Sequence, residues 1–259
     1  MAPNTAVPFW KAVGRDNLAI KVPATIDGLP AIRQLTCEGI NVNITLLFGI
    51  ERYDAVAKAY LEGLSDFIQR GGDPGLVSSV ASFFVSRIDT MVDEMITKRL
   101  AVVTDPDARA MLTSLLGKVA IANAKLAYQH YLAVCRSSAW QALAAEGARP
   151  QRLLWASTST KNPRYRDVRY VEELIGRETV NTMTPGTIDA FRDHGQLRAS
   201  VDADVEGARH VMEILSRAGI SLEAVTDRLL EDGIAQFSRA FDTLLAALRK
   251  DRGSDSIEK

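Results

Sequence analysis

The strongest constraint on the fold is a regular alternation of short apolar segments with longer amphipathic ones. Short runs rich in β-branched and aromatic residues, bounded by glycine, proline or polar residues, are typical of β-strands. Five such runs occur, at residues 17–25, 41–49, 78–87, 152–160 and 178–184. Because helical segments follow them along the chain, the pattern predicts βα units on a parallel sheet.

The helical segments differ widely in length. They cover residues 27–38, 51–71, 89–146 and 171–175, and then the whole region from Pro185 to Lys250. Within the longest of the first four, Thr104 and Asp105 followed by Pro106 are typical of a helix cap and first turn. We predict one domain over residues 1–250 and a disordered tail over the polar residues 251–259.

The composition argues against several classes of function. The 259 residues carry a formal net charge of -1, so no basic excess exists to bind a nucleic-acid backbone. We see no signal peptide and no run that is apolar enough to span a bilayer. The three histidines lack metal-ligand spacing, and only two cysteines (Cys37 and Cys135) occur. We therefore expect a cytoplasmic protein without disulfides, a metal site, or a nucleic-acid or membrane partner.

The first predicted strand contains a lysine among apolar residues. Ile20 and Val22 fall on one face of the strand, and Lys21 falls on the other. In a barrel, one face of each strand packs against helices and the other faces the interior. Burial there would lower the pKa of the amine and make it a nucleophile for carbonyl groups. The alternative is a lysine that points to solvent near the end of its strand.

The second predicted strand alternates strictly between polar and apolar residues. Asn41, Asn43 and Thr45 are polar, whereas the alternate positions are apolar: Val42, Ile44, Leu46 and Phe48. If helices cover the apolar face, the polar face lines the interior and offers two amides and a hydroxyl to a sugar. In a half-exposed antiparallel strand, the same polar face would simply meet water.

The third predicted strand has Ser82 and Phe84 on one face and Arg87 at its carboxyl end. Active sites of (β/α) barrels are built at that end of the strands, and an arginine there can bind a phosphate through two hydrogen bonds. The alternative for Arg87 is a surface salt bridge to Asp89 or Glu94.

The fourth predicted strand ends in the polar sequence WASTSTKN. Ser157, Ser159 and Lys161 are predicted to share one face. Hydroxyl groups and an amine at a strand end form a second candidate phosphate contact. The alternative is an ordinary polar loop. The three tryptophans are predicted to belong to the core.

Several of these segments together resemble the transaldolase family. They are IKVPAT at 20–25, GINVNITLLF at 39–48 and SFFVSR at 82–87, in the order and spacing of that family. The later segments at 156–176 and 179–185 are similar to its longer bacterial class, including the transaldolase halves of fusions with glucose-phosphate isomerase. The resemblance covers about residues 8–250 and implies a TIM-type (β/α) barrel.

The resemblance also implies roles for individual residues. Lys21 matches the lysine that forms a Schiff base, Asn43 an asparagine that binds donor hydroxyls, and Thr45 a threonine that holds the catalytic water. The matching substrate-binding residues are Ser82, Phe84, Arg87, Ser157 and Lys161, the last three toward phosphate; the alternation described above adds Asn41. No metal or organic cofactor is implied.

The implied reaction moves a dihydroxyacetone unit between phosphorylated sugars in the pentose phosphate pathway. The implied donors are sedoheptulose 7-phosphate and fructose 6-phosphate, and the implied acceptors are glyceraldehyde 3-phosphate and erythrose 4-phosphate. A second hypothesis is a lyase like fructose-6-phosphate aldolase, which releases dihydroxyacetone to water.

In the family, the lysine strand is the fourth of eight, whereas here it begins near residue 17. The resemblance therefore implies a barrel truncated at its N-terminus, with about five of eight strands. The family's proton-transferring aspartate and glutamate lie on the missing strands, so we expect weak activity from this chain alone. The alternatives are an incomplete sequence, a split enzyme whose N-terminal piece is a separate chain, and an inactive fragment that only binds sugars; of these, an incomplete or fragmentary transaldolase is favoured. A homodimer or the N-terminal piece of a split enzyme would cover the open edge.

Overall fold

The computed structural model describes residues 3–254, which form one parallel sheet surrounded by helices. The strands are β1 (Ile20–Pro23), β2 (Val42–Leu47), β3 (Ser79–Phe84), β4 (Arg152–Ala156) and β5 (Thr179–Asn181), in the order β1-β2-β3-β4-β5. The predicted α/β fold with five parallel strands is confirmed, although each strand is shorter than predicted. Sequential parallel strands with helical crossovers have the arrangement of a (β/α) barrel, and within the described residues β1 and β5 are the two edges of an open sheet.

Eleven helices are found within the described residues. They are α1 (Pro3–Val13), α2 (Gly28–Cys37), α3 (Ile50–Gln69), α4 (Ser86–Leu100), α5 (Pro106–Leu115), α6 (Val119–Arg136), α7 (Ser138–Ala145), α8 (Arg169–Glu172), α9 (Pro185–His194), α10 (Val205–Arg217) and α11 (Leu222–Ser254). A short 3₁₀ turn covers Pro74–Leu76. The last helix therefore extends into the predicted tail, and residues 255–259 lie outside the described part of the chain.

The two longest predicted helical regions are each divided into shorter helices. The region over 89–146 contains four helices, because caps and a left-handed glycine interrupt it. The carboxylate of Asp105 accepts a hydrogen bond from the backbone N–H of Ala108 at 2.9 Å and caps α5, as predicted. Gly117 (φ 67°) separates α5 from α6, and Gly219 (φ 67°) separates α10 from α11. Glycine adopts this conformation without steric strain.

No single helix within residues 3–254 is both long enough and apolar enough to cross a membrane. The helices α5 and α6 pass such a test only as a pair, and they are bent by 57° at the break between them.

Apolar side chains from the sheet and the helices form the main core. The tryptophans belong to the interior as predicted. Trp155 is 1% exposed and Trp10 is half-buried against this core, whereas Trp140 is 7% exposed in a second, smaller cluster with Tyr60. The indole N–H of Trp155 donates to the carbonyl of Leu174 at 2.8 Å, which satisfies its one polar group. Both cysteines are free thiols.

The polar–apolar alternation of β2 breaks near its carboxyl end. Leu46 has a φ of 60°, and the register with β3 shifts between Ile44 and Leu47. As a result Leu46 and Leu47 are both buried, so the predicted alternation as far as Phe48 is wrong. The cause is packing against α11, because a Cβ added at Gly233 would lie only 2.7 Å from Leu46 Cδ2.

Beyond this contact, α11 presents an exposed apolar stripe. Its members are spaced three and four residues apart and are 37–60% exposed: Ile234, Phe237, Phe241, Leu244 and Leu248. Residues with this spacing lie along one side of a helix. That side of α11 is therefore not covered by the described part of the chain.

The turn that joins β1 to α2 has no space for a side chain at Gly28. A Cβ there would lie 2.2 Å from the carbonyl oxygen of Pro23, whereas nothing lies within 4 Å of a Cβ at Gly186 in the first turn of α9. We predict that Gly28→Ala lowers the free energy of unfolding by about 1–3 kcal/mol through overpacking. Gly186→Ala should be neutral or stabilise by up to ~1 kcal/mol. Urea denaturation measures the free energy of unfolding of both variants. Equal changes in the two variants would contradict the tight packing at Gly28.

Candidate active site

Side chains from three adjacent strands meet on one face of the sheet. Lys21 pairs with Asn43 in the parallel register of β1 and β2, so both side chains leave the sheet on the same side. The hydroxyl of Ser82 on β3 donates to Asn43 Oδ1 at 2.7 Å. An amine, an amide and a hydroxyl thus stand side by side, and the structure brings together these three predicted site residues.

The environment of Lys21 differs from the buried one that was predicted. The residue is exposed, and its Nζ lies 5.8 Å from the centroid of the Phe237 ring in α11. The prediction of a buried amine is wrong, because β1 is an edge strand and Phe237, its neighbour on this side, is itself 50% exposed. The amine is therefore accessible from solution.

Arg87 lies in a helix rather than at the end of a strand. The predicted strand over 78–87 ends at Phe84, and α4 begins at Ser86, so Arg87 belongs to the first turn of that helix. Its Cζ is 5.3 Å from the centroid of the Phe84 ring, which in turn packs 5.2 Å from the ring of Phe48. The guanidinium therefore lies over the Phe84 ring at the carboxyl end of β3.

The two acidic residues that were alternative partners for this arginine are bonded elsewhere. Asp89 accepts hydrogen bonds from the backbone N–H of Ala120 at 2.7 Å and from the hydroxyl of Tyr170 at 2.8 Å. Glu94 accepts one from Lys98 at 2.6 Å. Since neither carboxylate neutralises the guanidinium, the geometry favours the anion-binding role over the surface salt bridge.

Thr45 lies two residues beyond Asn43 on β2. It is 4% exposed, and within the described residues its Oγ1 has no hydrogen-bond partner. A buried hydroxyl without a partner costs about 1–3 kcal/mol. The hydroxyl is therefore a natural contact for a water molecule or a ligand.

Asn41 does not belong to this group. Its Nδ2 donates to the carbonyls of Asp16 at 2.9 Å and Leu18 at 3.1 Å, and its Oδ1 accepts from the N–H of Ser78 at 2.7 Å. These bonds occupy the amide at the amino end of the sheet, opposite the end where barrel sites are built. In the structure Asn41 therefore bonds to backbone groups beside β1 and β3, and substrate binding by this residue stays a prediction.

The strand β4 ends at Ala156, and Ser157 follows it with a φ of 57°. The Ser157 hydroxyl lies 3.1 Å from that of Ser86, and the N–H of Ser86 donates to the Ser157 carbonyl at 3.0 Å. Ser157 therefore lies beside Ser86, the first residue of α4 and the residue that precedes Arg87.

Ser159 and Lys161 lie beyond the end of β4 and have separate neighbours. The Ser159 hydroxyl is 2.8 Å from that of Thr187 in α9, and the exposed Lys161 lines a cleft of about 460 Å³ beside α4 together with Asp93 and Tyr165. The prediction that these residues share one face is wrong, because alternation holds only within a strand and the strand ends before them.

The site combines an accessible amine, a hydrogen-bonding wall and a guanidinium. An amine can attack a carbonyl carbon, an amide and hydroxyls can bind the hydroxyl groups of a sugar, and a guanidinium can bind a phosphate. No group of three or more His, Cys, Asp or Glu residues within residues 3–254 is arranged to hold a metal ion.

Comparison with known proteins agrees with this chemistry. Residues 4–248 match the family described as Transaldolase/Fructose-6-phosphate aldolase. The chain is 49% identical over 249 residues to a transaldolase of Trichodesmium erythraeum, 48% identical over 248 residues to a transaldolase 2 of a Nostoc strain, and 45% identical over 251 residues to a transaldolase of Frankia alni. These alignments cover 95%, 95% and 96% of this chain.

The chain belongs to the transaldolase/fructose-6-phosphate aldolase family. It spans about two thirds of the length of these relatives, namely 66%, 65% and 66%. The resemblance that the motifs indicated is thus confirmed at the level of the family.

Some features of this transaldolase-family site could not be predicted from the motifs. Phe237 approaches Lys21 from the last helix, and its only sequence signal is the apolar spacing of α11. Asp89 and Tyr170 form a buried hydrogen bond across 81 residues of sequence, and nothing in the local pattern indicates it. Both contacts depend on how distant helices pack.

Asp89 is an ionisable group inside this fold. It is 1% exposed, and burial raises the pKa of its carboxyl from 3.8 to about 6, while the hydrogen bonds from Ala120 and Tyr170 oppose the rise. Between these two pH values the folded chain keeps a proton that the unfolded chain has released. The stabilisation is therefore complete below about pH 4 and is lost as the pH rises to about 6.

We predict that Asp89→Asn removes this pH dependence, because the amide does not titrate. The variant should gain about 3 kcal/mol of unfolding free energy relative to the unmodified chain between pH 4 and pH 7. Urea denaturation of both proteins across this range gives the difference curve, in which the other carboxylates cancel. A difference that does not change with pH would contradict a raised pKa for Asp89.

Proposed function

We propose that the chain carries the Schiff-base site of a transaldolase. The observation that carries the proposal is the pairing of Lys21 with Asn43, whose amide is bonded to Ser82. An amine beside an amide and a hydroxyl is suited to a ketose, because the carbonyl carbon and the neighbouring hydroxyls can be bound together. Family membership supports this assignment.

In the proposed reaction, the neutral Lys21 amine attacks the ketone carbon C2 of fructose 6-phosphate or sedoheptulose 7-phosphate, and uptake of one proton with loss of water gives a protonated imine. The C3–C4 bond, one carbon away from the imine carbon, then breaks as the C4 hydroxyl loses its proton and C4 becomes an aldehyde carbon. The electron pair of the broken bond forms the C2–C3 double bond of the enamine, and the imine π electrons move to the nitrogen. An aldose phosphate leaves, and the three-carbon enamine remains on the lysine. Attack of the enamine on glyceraldehyde 3-phosphate or erythrose 4-phosphate, followed by hydrolysis, completes the transfer.

The surrounding residues have the roles that the resemblance implies. Asn43 and Ser82 would bind donor hydroxyls, and the buried Thr45 hydroxyl would hold the catalytic water. Phe84 would line the donor site, and phosphate would be bound by Arg87, Ser157 and Lys161. The unpaired Thr45 hydroxyl and the position of Arg87 over Phe84 support these assignments.

Proton transfer is the step for which the five strands described here do not supply the carboxylates that the resemblance implies. The family's acid–base carboxylates belong, by the resemblance, to strands other than the five described here. General acid–base catalysis contributes about 10²–10⁴-fold in rate. We therefore propose that a complementing N-terminal segment or a second copy of the chain covers the open face; the unpaired edge of β1 and the exposed stripe of α11 support such a partner.

We also propose that the reaction belongs to the pentose phosphate pathway and takes place in the cytoplasm. The sugar phosphates named above are the substrates that the resemblance implies. The two free thiols, Cys37 and Cys135, suit a reducing compartment.

Product analysis tests the proposal. With fructose 6-phosphate and erythrose 4-phosphate, the chain should form sedoheptulose 7-phosphate and glyceraldehyde 3-phosphate, detected by mass spectrometry. Lys21→Ala should abolish both products, because Lys21 is the amine that lies beside the Asn43 amide and the Ser82 hydroxyl. Lys58→Ala is the matched control, since the Lys58 side chain is 78% exposed and belongs to α3.

The outcomes separate the competing functions. Release of dihydroxyacetone at the same rate without an acceptor would identify a lyase instead. No product from a folded chain, with or without the acceptor, would contradict transaldolase activity of this polypeptide alone and leave the complemented or binding-only forms.

A further inference from the structure

One face of α4 is bonded along its length to the segment that follows β4. Ser86, Asp89 and Asp93 are spaced three and four residues apart, so they lie on the same side of the helix. Each is hydrogen-bonded to the β4–α8 segment, defined as residues 157–170. The three bonds are Ser157 to Ser86 at 3.1 Å, Tyr170 to Asp89 at 2.8 Å and Tyr165 to Asp93 at 2.7 Å.

The two carboxylates of this face are fixed from a second direction. Asp89 Oδ1 accepts from the N–H of Ala120 at 2.7 Å, and Asp93 Oδ1 accepts from the N–H of Gly117 at 2.9 Å. Ala120 belongs to the first turn of α6, where a negative charge also interacts favourably with the helix dipole, and Gly117 belongs to the turn just before this helix. Each carboxylate therefore uses one oxygen to bind a backbone N–H in or just before α6 and the other to bind a tyrosine, so its orientation is fixed.

The two tyrosine rings are also held in place. The guanidinium of Arg169 lies 4.4 Å from the ring centroid of Tyr165 and 5.6 Å from that of Tyr170. The same guanidinium donates to the carbonyl of Gly117 at 2.5 Å. Burial raises the pKa of both tyrosine hydroxyls, so they remain donors at neutral pH.

These bonds connect the two parts of the proposed phosphate site. Arg87 belongs to the first turn of α4, between Ser86 and Asp89. Ser157 and Lys161 belong to the β4–α8 segment. The separation between the guanidinium and the other two phosphate contacts therefore depends on how this segment lies along α4.

We propose that Tyr165 and Tyr170 are positioning residues that hold the β4–α8 segment against α4, so that Arg87, Ser157 and Lys161 can bind one phosphate group. The inference rests on the proposed function, because it concerns the phosphate end of the same substrate. It assigns no contact with substrate to either tyrosine. The amine of Lys21 lies on β1 and takes no part in these hydrogen bonds.

The phenylalanine variants Tyr165→Phe and Tyr170→Phe test the inference. Each keeps the ring beside Arg169 and removes only the hydroxyl that bonds to a carboxylate. The readout is the half-saturating ketone concentration for the adduct trapped on the chain by borohydride. Fructose 6-phosphate and dihydroxyacetone are compared, because only the first has a phosphate.

We expect each variant to raise the half-saturating concentration of fructose 6-phosphate by about 5- to 20-fold. The value for dihydroxyacetone should stay unchanged, because imine formation does not use the phosphate contacts. Arg87→Ala should produce the same selective loss. Tyr60→Phe is the matched control, since it removes a buried hydroxyl that donates to the Arg149 carbonyl at 2.9 Å, in a separate cluster with Trp140.

Four other results would overturn the inference. If the variants raise the half-saturating concentrations of both ketones equally, the tyrosines have a purely structural role. If the variants change neither concentration, the tyrosines have no role in binding. If the unmodified chain has the same half-saturating concentration for both ketones, it has no phosphate site for the tyrosines to position. The proposal that the chain forms a Schiff base would still hold in that case. If a folded chain traps neither ketone, the proposed function fails, and the inference fails with it.

Discussion

The candidate site depends on the parallel hydrogen bonding between β1 and β2. Only the observed register puts Lys21 beside Asn43, because a slip of one residue would turn every side chain of β1 to the opposite face. Asn41 helps to set that register: its amide donates to the Leu18 carbonyl next to β1 and accepts from the Ser78 N–H next to β3. The residue that was predicted to bind substrate thus connects the three strands that carry the site.

The carboxyl ends of the strands also contain unusual backbone. Leu46 and Ser157 have φ values of 60° and 57°, a conformation that costs a residue other than glycine about 1–3 kcal/mol. Leu46 lies near the carboxyl end of β2 and Ser157 directly follows β4. Each contacts a distant partner: Gly233 packs on Leu46, and Ser86 bonds to Ser157. Strain of this kind persists where surrounding packing imposes it, and it is common at functional sites.

Local sequence patterns predicted the five strands, their parallel arrangement and the cap at Asp105, because these features depend on periodicity and capping residues near one another. The alternation also placed Lys21 correctly on the same face of the sheet as Asn43. It failed for Leu46, where packing of α11 bends the chain, and for Lys161, which lies beyond the end of β4. The bond between Asp89 and Tyr170 joins residues that are far apart in sequence, so no local pattern could indicate it.

The central claim is that the amine of Lys21 forms a covalent imine with a ketose. The most direct measurement is borohydride reduction of the folded chain with fructose 6-phosphate, followed by peptide mass analysis. The account predicts one stable adduct on the peptide that contains Lys21, absent from Lys21→Ala and present in Lys58→Ala. An adduct on other lysines, or none from a chain shown to be folded, would contradict the claim for this polypeptide.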